Sequence, residues 1–404
     1  MIIGIIGAGA AGMAAAIAAS ECENTQVLLL ERQARVGRKL AATGNGRCNL
    51  SNIHAGSGGY HGDNPGFSRH AIDTFPPEET LDWFSELGLY TVTESSGKVY
   101  PYSDQANSVV DVLRFSLDRP NIELIPDCEV TRIRRDKGKF YLQSKNQELE
   151  CDKVIVACGG LAGTKLGGSM AGYKLLRSLG HKCTKLRPAL VQVKTGWSGV
   201  SALKGVRANC HAAIYHDGVL HRESTGEIQF TEFGLSGPVI YEISRDACQG
   251  SGSWECVLDF LPGMAQEALA EKLLERRTSN LTAEDLFTGI LHNRLGRVLV
   301  KEAEIRGNTP IRELRLGQIR EAAGYAKSFI LTLTEPLGMD AAQVTAGGIV
   351  TEEFDPTTME SKLVSGLYAC GEVLDVDGDC GGYNLQWAWS SGRLAGISAG
   401  RETE

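Results

Sequence analysis

The chain has 404 residues, of which 42% are hydrophobic and 22% charged, and its formal net charge at pH 7 is −8. This length exceeds what one hydrophobic core usually serves, so we expect two or three domains of a soluble globular enzyme. The negative charge argues against a nucleic-acid partner, because binding to phosphate backbones normally needs a basic face.

The eleven cysteines are odd in number and scattered over segments that resemble core elements. We interpret them as free thiols of a reducing compartment, so we expect a cytoplasmic protein. No Cys-x-x-Cys pair or Cys/His cluster has metal-site spacing, so no metal is expected. No stretch reaches about 18 uninterrupted apolar residues, so no membrane span is expected. Nothing in the sequence predicts an oligomeric state.

The first 31 residues combine two apolar strands with a glycine-rich turn. Residues 2–6 are typical of a buried parallel strand, the Ala-rich run 13–20 predicts a helix, and residues 26–30 predict a second strand. The turn between the first strand and the helix reads Gly-Ala-Gly-Ala-Ala-Gly. Strand, GxGxxG, helix, strand and acid form the full context of a dinucleotide-binding fingerprint. The apolar start lacks the basic segment of a signal peptide.

Each conserved-type position of this fingerprint has a physical role. Gly7 allows a tight turn, Gly9 lets the backbone approach a pyrophosphate, and Gly12 allows close helix packing. The positive end of the helix faces the phosphates. Glu31 is placed to accept hydrogen bonds from the ribose hydroxyls of an adenosine, and its charge rejects a 2′-phosphate. The site therefore predicts NAD or FAD and not NADP.

Residues 36–52, VGRKLAATGNGRCNLSN, are polar and glycine-rich and show no hydrophobic period. We interpret them as a loop that wraps the phosphates and ring edge of a long ligand, which favours FAD over NAD. A solvated basic loop is the alternative. The side chains offered for contact are Arg38, Lys39, Arg47, Asn45 and Asn49.

Two further segments point to the same ligand. Residues 152–160, DKVIVACGG, predict a buried strand that ends in small residues, as required where backbone passes close to a ligand. Residues 121–134 predict a strand pair. By analogy with flavoproteins that bind two dinucleotides, Val130 presents its backbone to an adenine edge.

The middle of the chain changes character twice. An alternating pattern with turn signals, including the hairpin signal Asp217-Gly218, predicts an antiparallel β domain, and a charged stretch with helical spacing follows it. The predicted domains are a FAD-binding domain (1–188 and 336–404), a β substrate domain (189–262 and 327–335) and a helical cap insert (263–326).

Near the C-terminus, VDGDCGGYNLQWAWSSG places three glycines before an apolar helix that begins near Tyr383. We expect the N-terminus of this helix to meet the isoalloxazine ring, where its dipole stabilises negative charge on the reduced flavin. Gly381 and Gly382 would then let backbone approach the ring, while Trp387 and Trp389 pack in the core. A buried helix with a glycine-rich entry is the alternative, which explains the tryptophans but not the glycines.

Several motifs together resemble the HI0933-like (BaiN/YhiN-like) family of bacterial NAD(P)/FAD-dependent flavoprotein oxidoreductases. They are GAGAAGM at 7–13, GRKLAATGNGRCNLSN at 37–52, VIVACGG at 154–160, FTEFGLSGP at 230–238, TAGGIV at 345–350, TMESK at 358–362 and the stretch 366–392. The chain departs from the pattern at Glu232-Phe233, where a His often precedes Gly-Leu-Ser-Gly in the family.

The resemblance implies an α/β fold, with a Rossmann-like FAD-binding domain built from both chain ends, an inserted antiparallel β domain and a small helical cap. It implies tight, non-covalent FAD and a small organic substrate at the flavin face between the FAD-binding and inserted domains. Tyr383 and Arg47 are the catalytic candidates. The implied cofactor-binding residues are Gly7, Gly9, Ala10, Ala11, Gly12, Glu31, Arg32, Arg38, Lys39, Asn45, Gly46, Arg47, Cys48, Asn49, Val130, Ala157, Cys158, Gly159, Gly371, Glu372, Gly382, Tyr383, Asn384 and Leu385.

Activities implied by the family diverge, so several functions stay open. A reductase of activated C=C bonds that uses NADH or NADPH is the favoured hypothesis. The alternatives are an oxidase of small amines or amino ketones, a flavin-dependent RNA-modifying enzyme, which the net charge disfavours, and a flavin-binding protein without turnover. Residues 190–340 contain no second GxGxxG, so a nicotinamide donor would bind transiently at the flavin face.

Overall fold

The computed structural model describes residues 1–56 and 58–401. The chain divides into two compact units: unit 1 comprises Met1–Pro188 and Ala342–Glu404, and unit 2 comprises Ala189–Ala341. Unit 1 is therefore built from both ends of the chain, as the predicted fold class requires. The predicted helical insert forms part of unit 2 and is not set apart from it as a third unit.

Short strands alternate with helices along most of the described chain. The strands are β1 (Ile2–Ile6), β2 (Gln26–Leu30), β3 (Ser51–Asn52), β4 (Tyr60–His61), β5 (Thr91–Thr93), β6 (Lys98–Pro101), β7 (Ile122–Ile125), β8 (Val130–Asp136), β9 (Lys139–Ser144), β10 (Glu148–Cys151), β11 (Lys153–Val156), β12 (Arg187–Ala189), β13 (Val193–Thr195), β14 (Arg207–His216), β15 (Val219–Phe230), β16 (Gly234–Ser236), β17 (Trp254–Asp259), β18 (Phe329–Pro336), β19 (Val344–Ala346), β20 (Leu367–Ala369) and β21 (Asp377–Gly378). The α-helices are α1 (Ala10–Ser20), α2 (Arg38–Ala41), α3 (Arg69–Thr74), α4 (Pro77–Glu86), α5 (Ala106–Ser116), α6 (Ala171–Ser178), α7 (Pro238–Ser244), α8 (Gln266–Glu275), α9 (Asn293–Glu302), α10 (Leu316–Lys327) and α11 (Tyr383–Gly400).

A five-stranded parallel sheet forms the centre of unit 1, with strand order β20-β11-β1-β2-β7. Every residue of β11 is buried, and four of the five residues of β1 are buried. Strands covered on both faces read as continuous apolar runs, which explains why β1, β2 and β11 were predictable from sequence.

Helices α1 and α11 pack on each other unusually closely because α11 carries glycines at the contact. A Cβ atom added at Gly392 would lie 2.4 Å from the carbonyl oxygen of Ala11, and one added at Gly396 would lie 2.4 Å from that of Ala15. No side chain fits at such distances, so the two backbones are in direct contact. Since Gly392 lies beside Ala11 and Gly396 beside Ala15, the helices run parallel.

Two predicted elements of unit 1 differ from the structure. The segment 36–52 is not wholly loop: it contains α2, a 3-10 turn at Thr43–Gly46 and β3, none of which is long enough to show a hydrophobic period. The predicted strand pair at 121–134 does form two strands, but they do not pair with each other. Strand β7 joins the parallel sheet beside β2, whereas β8 pairs with β9.

Unit 2 contains a closed barrel with strand order β13-β16-β15-β14-β17-β18. The predicted hairpin is confirmed: Asp217 and Gly218 both have positive φ, 48° and 79°, and connect β14 to β15. Helices α8, α9 and α10 bury Leu269, Leu299 and Ile319 in the same hydrophobic cluster as the barrel residues. This shared core explains why the helices and the barrel form one compact unit.

In the described part of the chain, no helix is long and apolar enough to cross a membrane.

The α1–α11 contact gives the first testable prediction. Gly396→Ala should lower the free energy of unfolding by about 1–3 kcal/mol, because the added Cβ forces two backbones apart. Urea unfolding followed by circular dichroism measures this change. Gly66→Ala is the matched control in unit 1, since its Cβ would meet its nearest neighbour at an ordinary 3.7 Å. An equal effect of both substitutions would contradict the close contact.

Candidate functional site

The carboxyl ends of the parallel strands bring several predicted residues to one edge of the sheet. Strand β1 leads into Gly7, β2 into Glu31, β11 into Ala157, and β20 into Gly371 by way of Cys370. Open parallel sheets bind ligands at this edge, because the loops after the strands converge there.

The geometry assigns different reasons to the first and third glycines of the fingerprint. Gly7 has φ +105°, which disfavours any side chain, and a Cβ there would lie 2.5 Å from the carbonyl oxygen of Ala157. A Cβ at Gly12 would lie 1.8 Å from the carbonyl oxygen of Gly7. The predicted roles of these two residues, tight turn and close packing, are confirmed.

The region around Gly9 has the features of an anion cradle. Gly9 precedes α1 with φ −83°, and a Cβ placed there would meet nothing within 4 Å. The N–H groups of Ala10, Ala11 and Gly12 have no acceptor in the described part of the chain. Open space, unpaired donors and the positive end of a helix dipole together fit a pyrophosphate.

Glu31 is held by the chain at the start of this cradle. One carboxylate oxygen accepts the N–H of Ala8 at 2.9 Å, and the other accepts the N–H of Gln33 at 2.9 Å. A carboxylate has about four acceptor positions, so two remain for ribose hydroxyls. The carbonyl of Glu31 accepts the N–H of Cys128 at 2.8 Å, which brings the start of β8, with the buried Val130, to the same region.

The charged side chains of residues 32–47 already have partners within the protein. Arg32 donates to the carbonyl of Gly167 at 2.5 Å, and Arg38 donates to Gln33 at 2.9 Å. Lys39 forms an ion pair with Glu372 at 2.7 Å. These contacts order the segment and leave the cation of Lys39 beside the Glu372 carboxylate.

Arg47 lies on a half-exposed surface. Its guanidinium forms ion pairs with Asp104 and Glu94 and stacks 4.0 Å from the centroid of the Tyr100 ring. Two carboxylates thus balance its charge, which reduces its attraction for a phosphate or an anionic substrate. Its predicted role stays a prediction.

The glycine and asparagine residues of the same segment serve turns. Asn45 and Gly46 are exposed with φ of 57° and 87°, and Cys48 is fully buried with φ of 61°. The amide of Asn49, in the orientation that satisfies both its groups, accepts the N–H of Gly382 at 3.2 Å. Asn49 therefore links this segment to the entry of α11.

The loop after β11 is fixed by a residue that the sequence reasoning did not single out. Thr345 is buried, and its hydroxyl accepts the N–H groups of Leu161 and Ala162, each at 2.9 Å. Its own N–H donates to Glu372 at 2.9 Å. The quoted motif TAGGIV contains this residue, and an unexplained buried Thr in a glycine-rich motif was the available signal.

Two small residues flank the loop for different reasons. Gly159 has φ +69° and open space at its Cβ position, which suits the approach of a ligand. Gly371 has φ +74°, and a Cβ there would lie 2.8 Å from the Cβ of Ala11. The N–H of Gly371 donates to Ser391 at 3.0 Å, so this turn is anchored to α11.

The entry of α11 requires a correction to the expected reason for its glycines. Helix α11 begins at Tyr383 as predicted, with Gly382 before it at φ +103°. A Cβ at Gly382 would lie 2.3 Å from the carbonyl oxygen of Ser51, and one at Gly381 would lie 2.9 Å from Lys98. The glycines therefore make room for the protein's own residues, and their need does not depend on a ligand.

The first turn of α11 is tied to the loop that precedes it. The amide of Asn384 accepts the N–H of Gly378 at 2.9 Å and donates to the carbonyl of Gly378 at 2.8 Å. The Tyr383 ring packs edge-on against that of Tyr60, with centroids 5.8 Å apart. Leu385 packs partly buried against the core of unit 1. The N–H groups of Asn384 and Leu385 have no acceptor in the described part of the chain.

The glycine turn, the parallel sheet and the barrel inserted between the two halves of unit 1 define a Rossmann-type FAD-binding fold, the architecture of FAD-dependent oxidoreductases. We assign the chain to that class of enzyme. A family model described as HI0933-like protein Rossmann domain matches residues 1–398, and the chain belongs to this family.

Relatives cover nearly the whole chain. It is 39% identical over 403 residues to the 3-dehydro-bile acid delta(4,6)-reductase of Clostridium scindens, covering 98% of both chains. It is 32% identical over 394 residues to the ribosomal RNA dihydrouridine synthase of Escherichia coli, covering 96% of this chain and 95% of the relative. This second relative leaves the expected exclusion of a nucleic-acid partner unsupported.

A solved structure shows the same fold at low identity. The crystal structure of 3-ketosteroid delta1-dehydrogenase from Sterolibacterium denitrificans matches with a TM-score of 0.51 and 11% identity, covering 99% of each chain.

The anion cradle gives the second prediction. Gly9→Val should fold, because its backbone conformation and surroundings accept a side chain, but the valine would occupy the space of the pyrophosphate. We expect the bound FAD to fall at least about tenfold. The visible flavin spectrum per mole of purified protein measures this. Gly66→Val should remain yellow, and a yellow Gly9→Val protein with unchanged FAD content would refute the assignment.

Burial governs the cysteines near this site. Desolvation raises the pKa of the Cys48 thiol to about 12 and that of Cys158 to about 12, and it also raises the pKa of the buried Cys370. Thiol reactivity follows the thiolate, and at pH 8 a thiol of pKa 12 is ionised in only about one molecule in ten thousand. This favours inert packing residues over a redox-active pair.

The third prediction follows from these thiols. Iodoacetamide at pH 8 should leave Cys48, Cys158 and Cys370 unmodified in the folded protein, whereas all eleven cysteines should react after denaturation. Peptide mass spectrometry reads the labelling. Replacing Cys48, Cys158, Cys370 or Cys380 singly by Ala should leave flavin reduction intact. A variant that keeps its flavin but loses catalysis would restore the redox interpretation.

Proposed function

We propose that the protein is a FAD-dependent reductase that saturates a C=C bond conjugated to a carbonyl in a small organic molecule, with NADH or NADPH as electron donor. The observation that carries this proposal is the near-full-length identity of 39% with a protein named as a bile-acid delta(4,6)-reductase. A 3-dehydro-delta(4,6) bile acid has its double bonds in conjugation with a 3-ketone, so the name specifies the activated bond.

The axial offset of two helix N-termini supports FAD as the cofactor. Gly392 of α11 lies beside Ala11 of α1, and the helices are parallel, so Tyr383 is eight residues beyond the level of Ala10. At 1.5 Å per residue this is about 12 Å along the axis. One helix terminus at the pyrophosphate and another farther along the ligand suit a molecule whose ribityl chain separates its phosphates from its ring.

The residues at each terminus suit the corresponding part of FAD. The unpaired N–H groups of Ala10, Ala11 and Gly12 would hold the pyrophosphate, and Glu31 would hold the adenosine ribose. The N–H groups of Asn384 and Leu385 would face negative charge on the ring. Bound FAD supplies hydride transfer between donor and substrate.

The electron donor and the place of the protein follow from sequence features. Without a second dinucleotide fingerprint in residues 190–340, a nicotinamide would bind only transiently at the ring and then leave. Its eleven free cysteines suit a reducing compartment, and we therefore propose the cytoplasm.

A second candidate function is reduction of uridine in ribosomal RNA. The 32% identity with a ribosomal RNA dihydrouridine synthase favours it. Dihydrouridine formation also saturates a C=C bond conjugated to a carbonyl, so both candidates need the same chemistry. Charge gives this candidate little support: the helical segment 264–327 has eleven Lys and Arg against nine Asp and Glu, and the chain as a whole carries −8.

The fourth prediction tests substrate class. Under anaerobic conditions NADH or NADPH should bleach the flavin of the purified holoprotein, and a steroid 4,6-dien-3-one should restore its colour while gaining two hydrogen atoms, read by mass spectrometry. The saturated 3-ketosteroid is the control and should not react, because it has no conjugated bond to accept the hydride.

Other results would each favour an alternative. Reoxidation by ribosomal RNA that lacks dihydrouridine, but not by the dienone, would select the second candidate. Rapid bleaching by small amines, followed by oxygen consumption, would select an oxidase. A flavin that neither donor nor amine reduces would indicate a binding protein without turnover.

A further inference from the structure

A histidine–aspartate pair lies beside the N-terminus of α11, outside the residues assigned so far. His61 ends β4, Asp379 follows β21, and Nε2 of the imidazole is 2.8 Å from Oδ1 of the carboxylate. Their side chains are 27% and 30% exposed, so the pair is partly shielded from water yet reachable by a small molecule.

The backbone on both sides holds this pair in place. Strands β4 and β21 pair antiparallel, and the N–H of Asp379 donates to the carbonyl of Gly59 at 2.8 Å. The amide of Asn384, in the first turn of α11, bonds both backbone groups of Gly378 and also reaches the carbonyl of Asp379 at 3.4 Å. The helix terminus proposed to face the flavin therefore fixes the carboxylate directly.

The hydrogen bond to Asp379 distinguishes the two ring nitrogens of His61. A carboxylate at Nε2 favours the tautomer with its proton on that nitrogen. Nδ1 of His61 has no protein partner in the part of the chain that the structure describes. Nδ1 is therefore the nitrogen that can take up a proton and pass it to a bound molecule.

The other ionisable groups near His61 are less suited to giving up a proton. Burial, together with Tyr383 and Asp379, raises the pKa of Tyr60, whose ring lies against that of Tyr383. Asp377 stands opposite His61 in the β4–β21 ladder. Two more carboxyl groups, Asp63 and Asp375, follow or precede these strands, and the N–H of Asp63 donates to Asp375 at 3.2 Å. Carboxylates around an imidazole favour its protonated form.

We propose that His61 is the general acid of the C=C reduction and that Asp379 is its positioning residue. The inference rests on the proposed function. Saturation adds a hydride to the β-carbon of the conjugated bond, with both electrons originating from the reduced nicotinamide. The α-carbon gains the proton from Nδ1 of His61, so one N–H bond breaks and one C–H bond forms. The imidazole then regains a proton from water.

The test separates proton transfer from electron transfer in the holoenzyme. His61→Gln should slow reoxidation of the flavin by the dienone about 100-fold or more, the usual contribution of a general acid. Its reoxidation by ferricyanide should stay within about threefold, because that acceptor needs no proton at carbon. His70→Gln on α3 is the matched control, an exposed histidine whose ring contacts only Thr74, at 3.4 Å.

The pH profile tests Asp379 and covers the case in which His61→Gln binds FAD poorly. The rate with the dienone should fall at alkaline pH as the acid loses its proton. In Asp379→Asn this fall should occur at lower pH, because the carboxylate no longer favours the protonated imidazole. In the oxidised holoenzyme, ¹⁵N NMR of labelled histidine should show the Nε2–H tautomer in the wild type and a mixture in Asp379→Asn.

The outcomes distinguish the two proposals. If the wild type reduces the dienone and His61→Gln does so equally fast, His61 is not the acid, although the proposed function stands. The same conclusion follows if Tyr60→Phe, and not His61→Gln, loses the dienone reaction. A wild-type enzyme that is reoxidised by ferricyanide but by no conjugated C=C acceptor overturns the proposed function and, with it, the inference.

Discussion

The direct contact of α1 with α11 is the constraint on which the rest of unit 1 depends. Residues from the two ends of the chain meet here, and the contact leaves no space for side chains at Gly392 or Gly396. Because the contact also sets the register of two parallel helices, it determines how far the N-terminus of α11 extends beyond that of α1. A change in this register by one turn would move the second helix terminus by about 5.4 Å relative to the first.

The same contact explains why the glycine-rich motifs lie so far apart in sequence. Gly371 must be small because Ala11 lies against it, and Gly382 must be small because the backbone of Ser51 lies against it. Only Gly9 and Gly159 of the glycines considered have open space where a side chain would be. Glycines that serve the protein and glycines that leave room for a ligand therefore look identical in sequence, and the structure separates them.

The parts of the fold that sequence could predict are those determined by near neighbours in the chain. The turn from β1 to α1, the hairpin at Asp217-Gly218 and the start of α11 each depend on the conformations that a few adjacent residues allow. Residues 36–52 were harder, because their short elements depend on contacts with other parts of the chain and carry no period of their own.

Long-range pairing accounts for most of what the sequence could not reveal at the site. His61 and Asp379 are 318 residues apart and meet only because β4 and β21 form a ladder. Arg47 was expected to offer its charge to a ligand, yet folding brings Asp104 and Glu94 to it. Motif composition identifies which residues are available, whereas the partners that set their electrostatics come from the tertiary fold.

The division of the chain into two units separates chemistry from substrate choice. All the residues argued here to hold FAD or to move a proton belong to unit 1. The names of the two relatives describe the same change at a C=C bond in molecules as different as a bile acid and ribosomal RNA. One conserved arrangement for hydride and proton delivery can serve both, since neither step depends on the size of the molecule that carries the bond. Selection between such substrates must then depend on residues outside the cofactor and proton-transfer groups, which is where substitutions that change substrate without changing chemistry should be sought.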